Sequence, residues 1–236
     1  SLDALPGTVD TAGTFRAAPA AQFGQAGPVK ATVGDISGVA RVRVIPPLPW
    51  REDFEAIPVD KVPRHWVNAT GKYLVREEDG NKILVKRADN PFLKRARAYL
   101  GPSDWSDYSV AVDVRSSEKR RQMGDAGVIA QRYALVLFGN HQRLELHAWQ
   151  PETKRSVRAP FTWKPDAWYR VKLEVQNLSD GTTRARGKAW LASEPEPAEW
   201  TVERIDPIPN REGSPGLYAN AINEVFFDNL EVRENP

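Results

Sequence analysis

The chain is expected to be all-β: an antiparallel β-sandwich behind a short N-terminal β segment. Period-two alternation of apolar and polar residues recurs in about ten short runs, with turn residues between them. Helical periodicity is convincing nowhere, although Asn90 to Arg97 is compatible with one or two helical turns. All eight tryptophans fall after residue 49, which separates an aromatic-poor leader from an aromatic-rich β-domain.

In the leader, 1–45, strand-like pieces are read around 7–15, 29–33 and 39–45. Asp10-Thr11-Ala12-Gly13 reads as a turn, and Gly34-Asp35-Ile36-Ser37-Gly38 separates the last two strands. Three short strands alone rarely make a stable unit. Residues 46–50 form a proline-rich linker, Pro46-Pro47-Leu48-Pro49-Trp50, stiffened because proline fixes φ and lacks an N–H. From 51 to 236 the alternation is sustained. Runs at 72–76 and 82–86 flank Asp79-Gly80, a hairpin signal. Tyr108, Val110, Val112 and Val114 share one strand face, and Tyr169, Val171, Leu173 and Val175 another. Further strands are expected at 127–132, 133–138, 143–149, 184–191, 217–220 and 224–232. Such a succession argues a sandwich.

A chain of 236 residues can bury a full core. With 33 basic against 31 acidic residues it has no global field to recruit nucleic acid. The clusters Lys94-Arg95-Ala96-Arg97 and Glu118-Lys119-Arg120-Arg121 lack interleaved aromatics for base stacking and read as solvated loops. No run reaches the apolar length of a membrane span. Cysteine is absent, which removes disulfides, thiolate metal sites and cysteine catalysis. The 19 prolines and the β-rich pattern favour an extracytoplasmic location, periplasmic, cell-surface or secreted. A start at Ser1 without methionine reads as a processed product or a piece of a longer parent with upstream domains.

Several blocks carry a family resemblance. Gly7-Thr8-Val9-Asp10, Val29-Lys30-Ala31-Thr32-Val33-Gly34 and Ala40-Arg41-Val42-Arg43-Val44 resemble the closing strands of a bacterial immunoglobulin-like domain. Downstream, Asp53-Phe54-Glu55, Trp66 with Gly71-Lys72-Tyr73-Leu74, and Trp105-Ser106-Asp107-Tyr108 follow in order. Asp125-Ala126-Gly127-Val128, Asp166-Ala167-Trp168-Tyr169, Gly216-Leu217-Tyr218 and Phe227-Asp228-Asn229-Leu230 complete the series. This order is similar to the concanavalin A-like jelly roll, in the laminin-G-like branch that includes the bacterial 3-keto-disaccharide hydrolase family. The resemblance implies a jelly-roll β-sandwich behind a partial immunoglobulin-like segment, in a secreted bacterial protein. It also implies a structural calcium ion where first and last strands meet, with Asp53, Glu55 and Asp228 as oxygen ligands. No other cofactor is required.

Catalytic patterns are missing. No Glu-x-Asp-x-x-Glu strand or Gly-x-Ser-x-Gly elbow occurs, and Glu145 and Glu174 sit among Arg and Lys as in a solvated ion-pair face. His141 and His147 stand six residues apart, roughly 20 Å on one straight strand, too far to share a metal. The most suggestive surface is Arg132-Tyr133 with the strand 143–149. Alternation puts Leu144, Leu146 and Ala148 on one face, and Arg143, Glu145, His147 and Trp149 on the other. An aromatic platform beside His and Arg donors suits sugar, and Trp163 is a second candidate platform. Trp149 suits packing more than binding, and Trp66, Trp105, Trp168 and Trp190 are read as core fillers. The expectation is therefore a non-catalytic module that binds carbohydrate through Arg132, Tyr133, Arg143, His147, Trp149 and Trp163. A structural module contacting a neighbouring protein subunit is the first alternative. A divergent glycoside-acting hydrolase is the second, favoured by a cleft placing Glu145 or Asp113 beside another carboxylate.

Overall fold

Alternation becomes strand along most of the chain. The computed structural model describes residues 5–18, 24–88, 92, 94–148 and 153–236. The chain divides into one unit of Ser1–Pro47 with Pro63–Trp66, and a second of Leu48–Val62 with Val67–Pro236.

The first unit holds two antiparallel hairpins. β1 (Gly7–Val9) pairs with β2 (Phe15–Ala17), so the piece read as one strand is split by its own turn. The Asp10 carboxylate closes that turn by accepting the N–H groups of Ala12 and Thr14. β3 (Gln25–Val33) pairs with β4 (Ile36–Val44) across a Gly34-Asp35 turn, where Gly34 has φ +57°. The His65 ring packs on Gly24, where a Cβ would stand 2.3 Å from ring atoms.

In the second unit the strands run β5 (Trp50–Glu52), β6 (Tyr73–Glu78), β7 (Asn81–Lys86), β8 (Arg95–Tyr99) and β9 (Tyr108–Ser116). A small hairpin of β10 (Glu118–Lys119) and β11 (Gln122–Met123) follows. Then come β12 (Asp125–Ala130), β13 (Tyr133–Phe138), β14 (Arg143–Ala148) and β15 (Ser156–Pro160). β16 (Tyr169–Asn177), β17 (Thr183–Leu191), β18 (Val202–Asp206), β19 (Gly216–Asn220) and β20 (Val225–Glu234) complete the set. Among the described residues the only helical segment is a 3-10 turn at Thr153–Arg155, and no helix is long and apolar enough to cross a membrane.

These strands form a six-stranded sheet, β15-β14-β13-β12-β19-β8, and an eight-stranded sheet, β18-β17-β16-β9-β20-β7-β6, with β5 paired to β20. Their inner faces make the core. Val110, Val112, Val114, Val171, Leu173 and Val175 of one sheet and Val128, Leu135, Leu137, Leu144 and Leu217 of the other are fully buried. Each such side chain contributes about 1.5–3 kcal/mol relative to exposure. At Gly187 a Cβ would stand 2.5 Å from both Leu135 methyl groups, so this glycine admits Leu135 between the layers. A bulge between Asp228 and Glu231 resets alternation in β20, with Asn229 at φ 49°. Phe227 and Leu230 are thereby both fully buried.

The differences from expectation cluster at the sheet edges. Arg95 to Arg97 belong to β8 rather than to a solvated loop or helix, while residues 90, 91 and 93 lie outside the described residues. Asp53 and Glu55 follow the first sandwich strand instead of lying in it. β15 and β18 carry too few large apolar residues to stand out in sequence.

Candidate binding face on the six-stranded sheet

Because Leu135, Leu144, Leu146 and Leu217 point inward, the intervening residues point away from the core. The strand register arranges them in rows. One row reads Tyr99, Gly216, Ile129, Ala134, His147, Ser156. The next reads Arg97, Tyr218, Gly127, Val136, Glu145, Arg158. At the far side Arg95 pairs with Asn220 and Asn220 with Asp125, while Phe138 pairs with Arg143. Beneath them lies a buried apolar cluster of Ile129, Ala134, Val136 and Tyr218, against which the half-buried Tyr99 and Phe138 pack. Polar groups ring it.

On one flank the Arg97 guanidinium lies 5.6 Å from the centre of the Tyr218 ring. On the other, Arg143 stacks over Phe138 at 4.7 Å and donates to Glu145 at 2.9 Å. His147 Nδ1 stands 3.9 Å from a Glu145 oxygen, outside hydrogen-bond range. Burial pulls the His147 imidazole below its ordinary value, Arg97 adds to this and Glu145 opposes it, so the ring is neutral at pH 7. Burial pushes the Tyr218 hydroxyl up, assisted by Asp125 and opposed by Arg95 and Arg97. Burial also raises Asp125, against the Gly139 N–H and the Asn220 amide that it accepts. The face therefore offers the half-buried Tyr99 and Phe138 rings, guanidinium donors and hydrogen-bonded carboxylates, over a buried apolar cluster and a buried neutral imidazole.

Of the residues expected from sequence, Arg143 and His147 meet on this face. Arg132 is exposed in the β12–β13 turn at φ 66°. Two expectations are corrected. Tyr133 is 1% exposed and inward-facing, its hydroxyl donating to Asp206 at 2.9 Å and accepting the Asn210 N–H at 3.1 Å. Trp163 is 1% exposed, in a loop that Gln142 pins through both its N–H and its carbonyl, so neither ring is a platform. Trp149 lies outside the described residues. Among the described residues no three His, Asp or Glu side chains are grouped to hold a metal, although Asp53 lies near enough to Asp228 to help raise its carboxyl. Glu55 instead accepts the Lys82 N–H, Asp53 its own loop's Glu55 N–H, and Asp228 the Asn81 amide.

Sequence reasoning missed Arg95, Arg97, Tyr99 and Tyr218. The signal was present: Arg95-Ala96-Arg97-Ala98-Tyr99 alternates strictly, but with alanine as its apolar partner. Tyr218 sits between Leu217 and Ala219, both fully buried, and so must face outward.

Carboxylate pairing is also resolved. Glu145 and Asp125 lie on strands separated by β13, roughly 10 Å apart at the backbone. Asp113 stands opposite Asp228 across β9 and β20, on the outer face of the other sheet. There Asp113 is engaged by Arg170 at 3.1 Å and Asn229 at 2.9 Å.

No protein-family model matches the chain, and no curated protein matches it. Solved structures do. One from the human gut microbiota, described with endo-acting O-glycanases that initiate mucin breakdown, superposes with a TM-score of 0.53 at 11% identity, covering 79% of this chain and 99% of that one. A glycosyl hydrolase family 16 protein of Mycobacterium smegmatis gives 0.51 at 12% identity, over 78% and 98%. A Bacillus subtilis protein of unknown function with a galectin-like fold gives 0.50 at 12%, over 72% and 89%. The fold is an antiparallel jelly-roll β-sandwich. At such identities the likeness establishes architecture alone.

Proposed function

We propose that the protein is an extracytoplasmic carbohydrate-binding module and that the outer face of the six-stranded sheet is its binding surface. The observation that carries this reading is the row from Arg97 and Tyr218 past side-chain-free Gly127 to Glu145 and Arg158. The half-buried rings of Tyr99 and Phe138 can meet the C–H faces of a sugar, while the guanidinium groups of Arg97 and Arg143 beside them donate to hydroxyls or carboxylates. Structures of similar fold are described as glycosyl hydrolase, O-glycanase and galectin-like proteins, which supports the class of ligand. Arg97→Met combined with Arg143→Met retains the side-chain stems and tests the face. On a glycan array the wild type is expected to bind, and the double variant to bind at least tenfold more weakly at unchanged melting temperature. No binding by the wild type removes this reading. Release of new reducing ends from a bound glycan would replace it with a hydrolase.

A second reading, docking against a neighbouring protein subunit, is favoured by the β3–β4 hairpin. Val33, Ile36 and Val39 are 82%, 79% and 64% exposed there, and among the described residues β3 and β4 form a two-stranded sheet. Unpaired edges of this kind can add to another sheet.

A further inference from the structure

The eight-stranded sheet carries a recess of its own. Pairing between β17 and β18 ends at Gly187 opposite Val202. Thr201 closes the junction by donating to the Gly187 carbonyl at 3.0 Å. Residues 188–191 of β17 therefore have no strand on that side, and the chain from 192 to 201 loops outward. The space left is about 530 Å³, walled by Phe161, Tyr169, Trp190, Glu194, Glu199 and Trp200 among others. That volume falls in the roughly 300–1,000 Å³ typical of small-molecule clefts.

Trp200 is built in place. Arg186 and Lys188 lie 4.6 Å from its ring centre and Lys172 lies 5.9 Å away. Glu196 joins Lys172 and Lys188, each at 2.8 Å, and Lys188 also donates to the Pro197 carbonyl at 2.6 Å. These bonds fix the loop that presents Trp200. Trp190 is half-buried beside it rather than a core filler, while Glu194 and Glu199 are exposed. Fixed indoles lose little entropy when a ligand stacks on them.

We propose that this recess is a second carbohydrate subsite, separate from the six-stranded face, that takes an uncharged pyranose unit. The indoles match the C–H face of a sugar ring, and the Glu194 and Glu199 carboxylates accept its hydroxyl hydrogens. The same carboxylates disfavour an anionic sugar, and Lys172 and Lys188 are committed to Glu196 and Trp200, leaving exposed Lys164 of the lining to balance them.

Indole N–H signals in two-dimensional spectra of the full chain give a direct test, assigned through Trp190→Phe and Trp200→Phe. The probes are neutral hexasaccharides: cello-, xylo-, manno- and laminarihexaose. At least one is expected to shift the Trp190 and Trp200 signals saturably. Glu194→Ala with Glu199→Ala changes only exposed side chains and should weaken that affinity tenfold or more. Arg97→Met with Arg143→Met should leave it unchanged, so failure at one face is distinguishable from failure at the other. Unmoved indole signals with every hexasaccharide overturn the proposal. So does a proline- and aromatic-rich peptide that shifts them when the sugars do not, or equal weakening by the Arg97 and Arg143 changes.

Discussion

Glu52 lies 2% exposed in β5, with Oε1 accepting the Phe54 N–H at 3.0 Å and Oε2 buried without a hydrogen-bond partner. Burial pushes its carboxyl up from 4.5 to about 7, opposed by the Phe54 N–H and assisted by Asp53. The folded chain thus holds this proton more tightly than the unfolded one. Its contribution to stability is complete below about 4.5 and lost as pH rises through about 7. Glu52→Gln is expected to flatten that limb. The check is unfolding free energy measured for both proteins from pH 4.5 to 8, where the wild type should fall relative to the variant by up to ~1.4 kcal/mol per pH unit. Tyr133 and Tyr218 show why such detail escapes sequence. Both are strand tyrosines, 1% and 7% exposed, yet one seals the core with its hydroxyl on Asp206 and the other floors the outer face. Only their parity relative to leucine neighbours distinguishes them.

Strands set the next level, and two glycines show how closely they approach. A Cβ at Gly187 would press on the Leu135 side chain, the contact that joins the two sheets. At Gly127 it would stand 1.9 Å from the Leu135 carbonyl oxygen and 2.8 Å from the Val136 Cα, backbone atoms that cannot rotate aside. Gly187→Ala should therefore cost about 1–3 kcal/mol as overpacking. Gly127→Ala should cost more, because β12 and β13 must separate. Denaturant midpoints at equal m-value rank the two, and the reverse order would refute the account. Strands with strong alternation, such as β9 and β16, were legible in sequence to within a residue or two. β8 was not, since alanines fill its inner positions and its arginines imitate a solvated loop. The bulge in β20 was equally hidden, because a single inserted residue reverses which neighbours face inward.

At the scale of the molecule, the unit containing the exposed β3–β4 hairpin has far less buried apolar surface than the sandwich. Hydrogen exchange should follow that asymmetry, with β3–β4 amides exchanging well before those of β9, β16 and β20. If the hairpin docks on a subunit, those amides become protected at high concentration or with the subunit present. Ile36→Lys should then abolish the protection while changing stability by no more than about 0.5 kcal/mol. Exchange that is indifferent to concentration and partner would leave the sugar-binding reading alone. The sequence by itself determined the all-β class and most strand faces, because alternation acts locally. Tertiary structure decided which residues share a surface. Arg97 and Tyr218 lie 121 positions apart in the chain and meet only through the pairing of β8 with β19. The recess at Trp190 and Trp200 exists only because β18 stops pairing at Gly187. Strand order and strand length are set by how two whole sheets close over one core, and no local pattern encodes that.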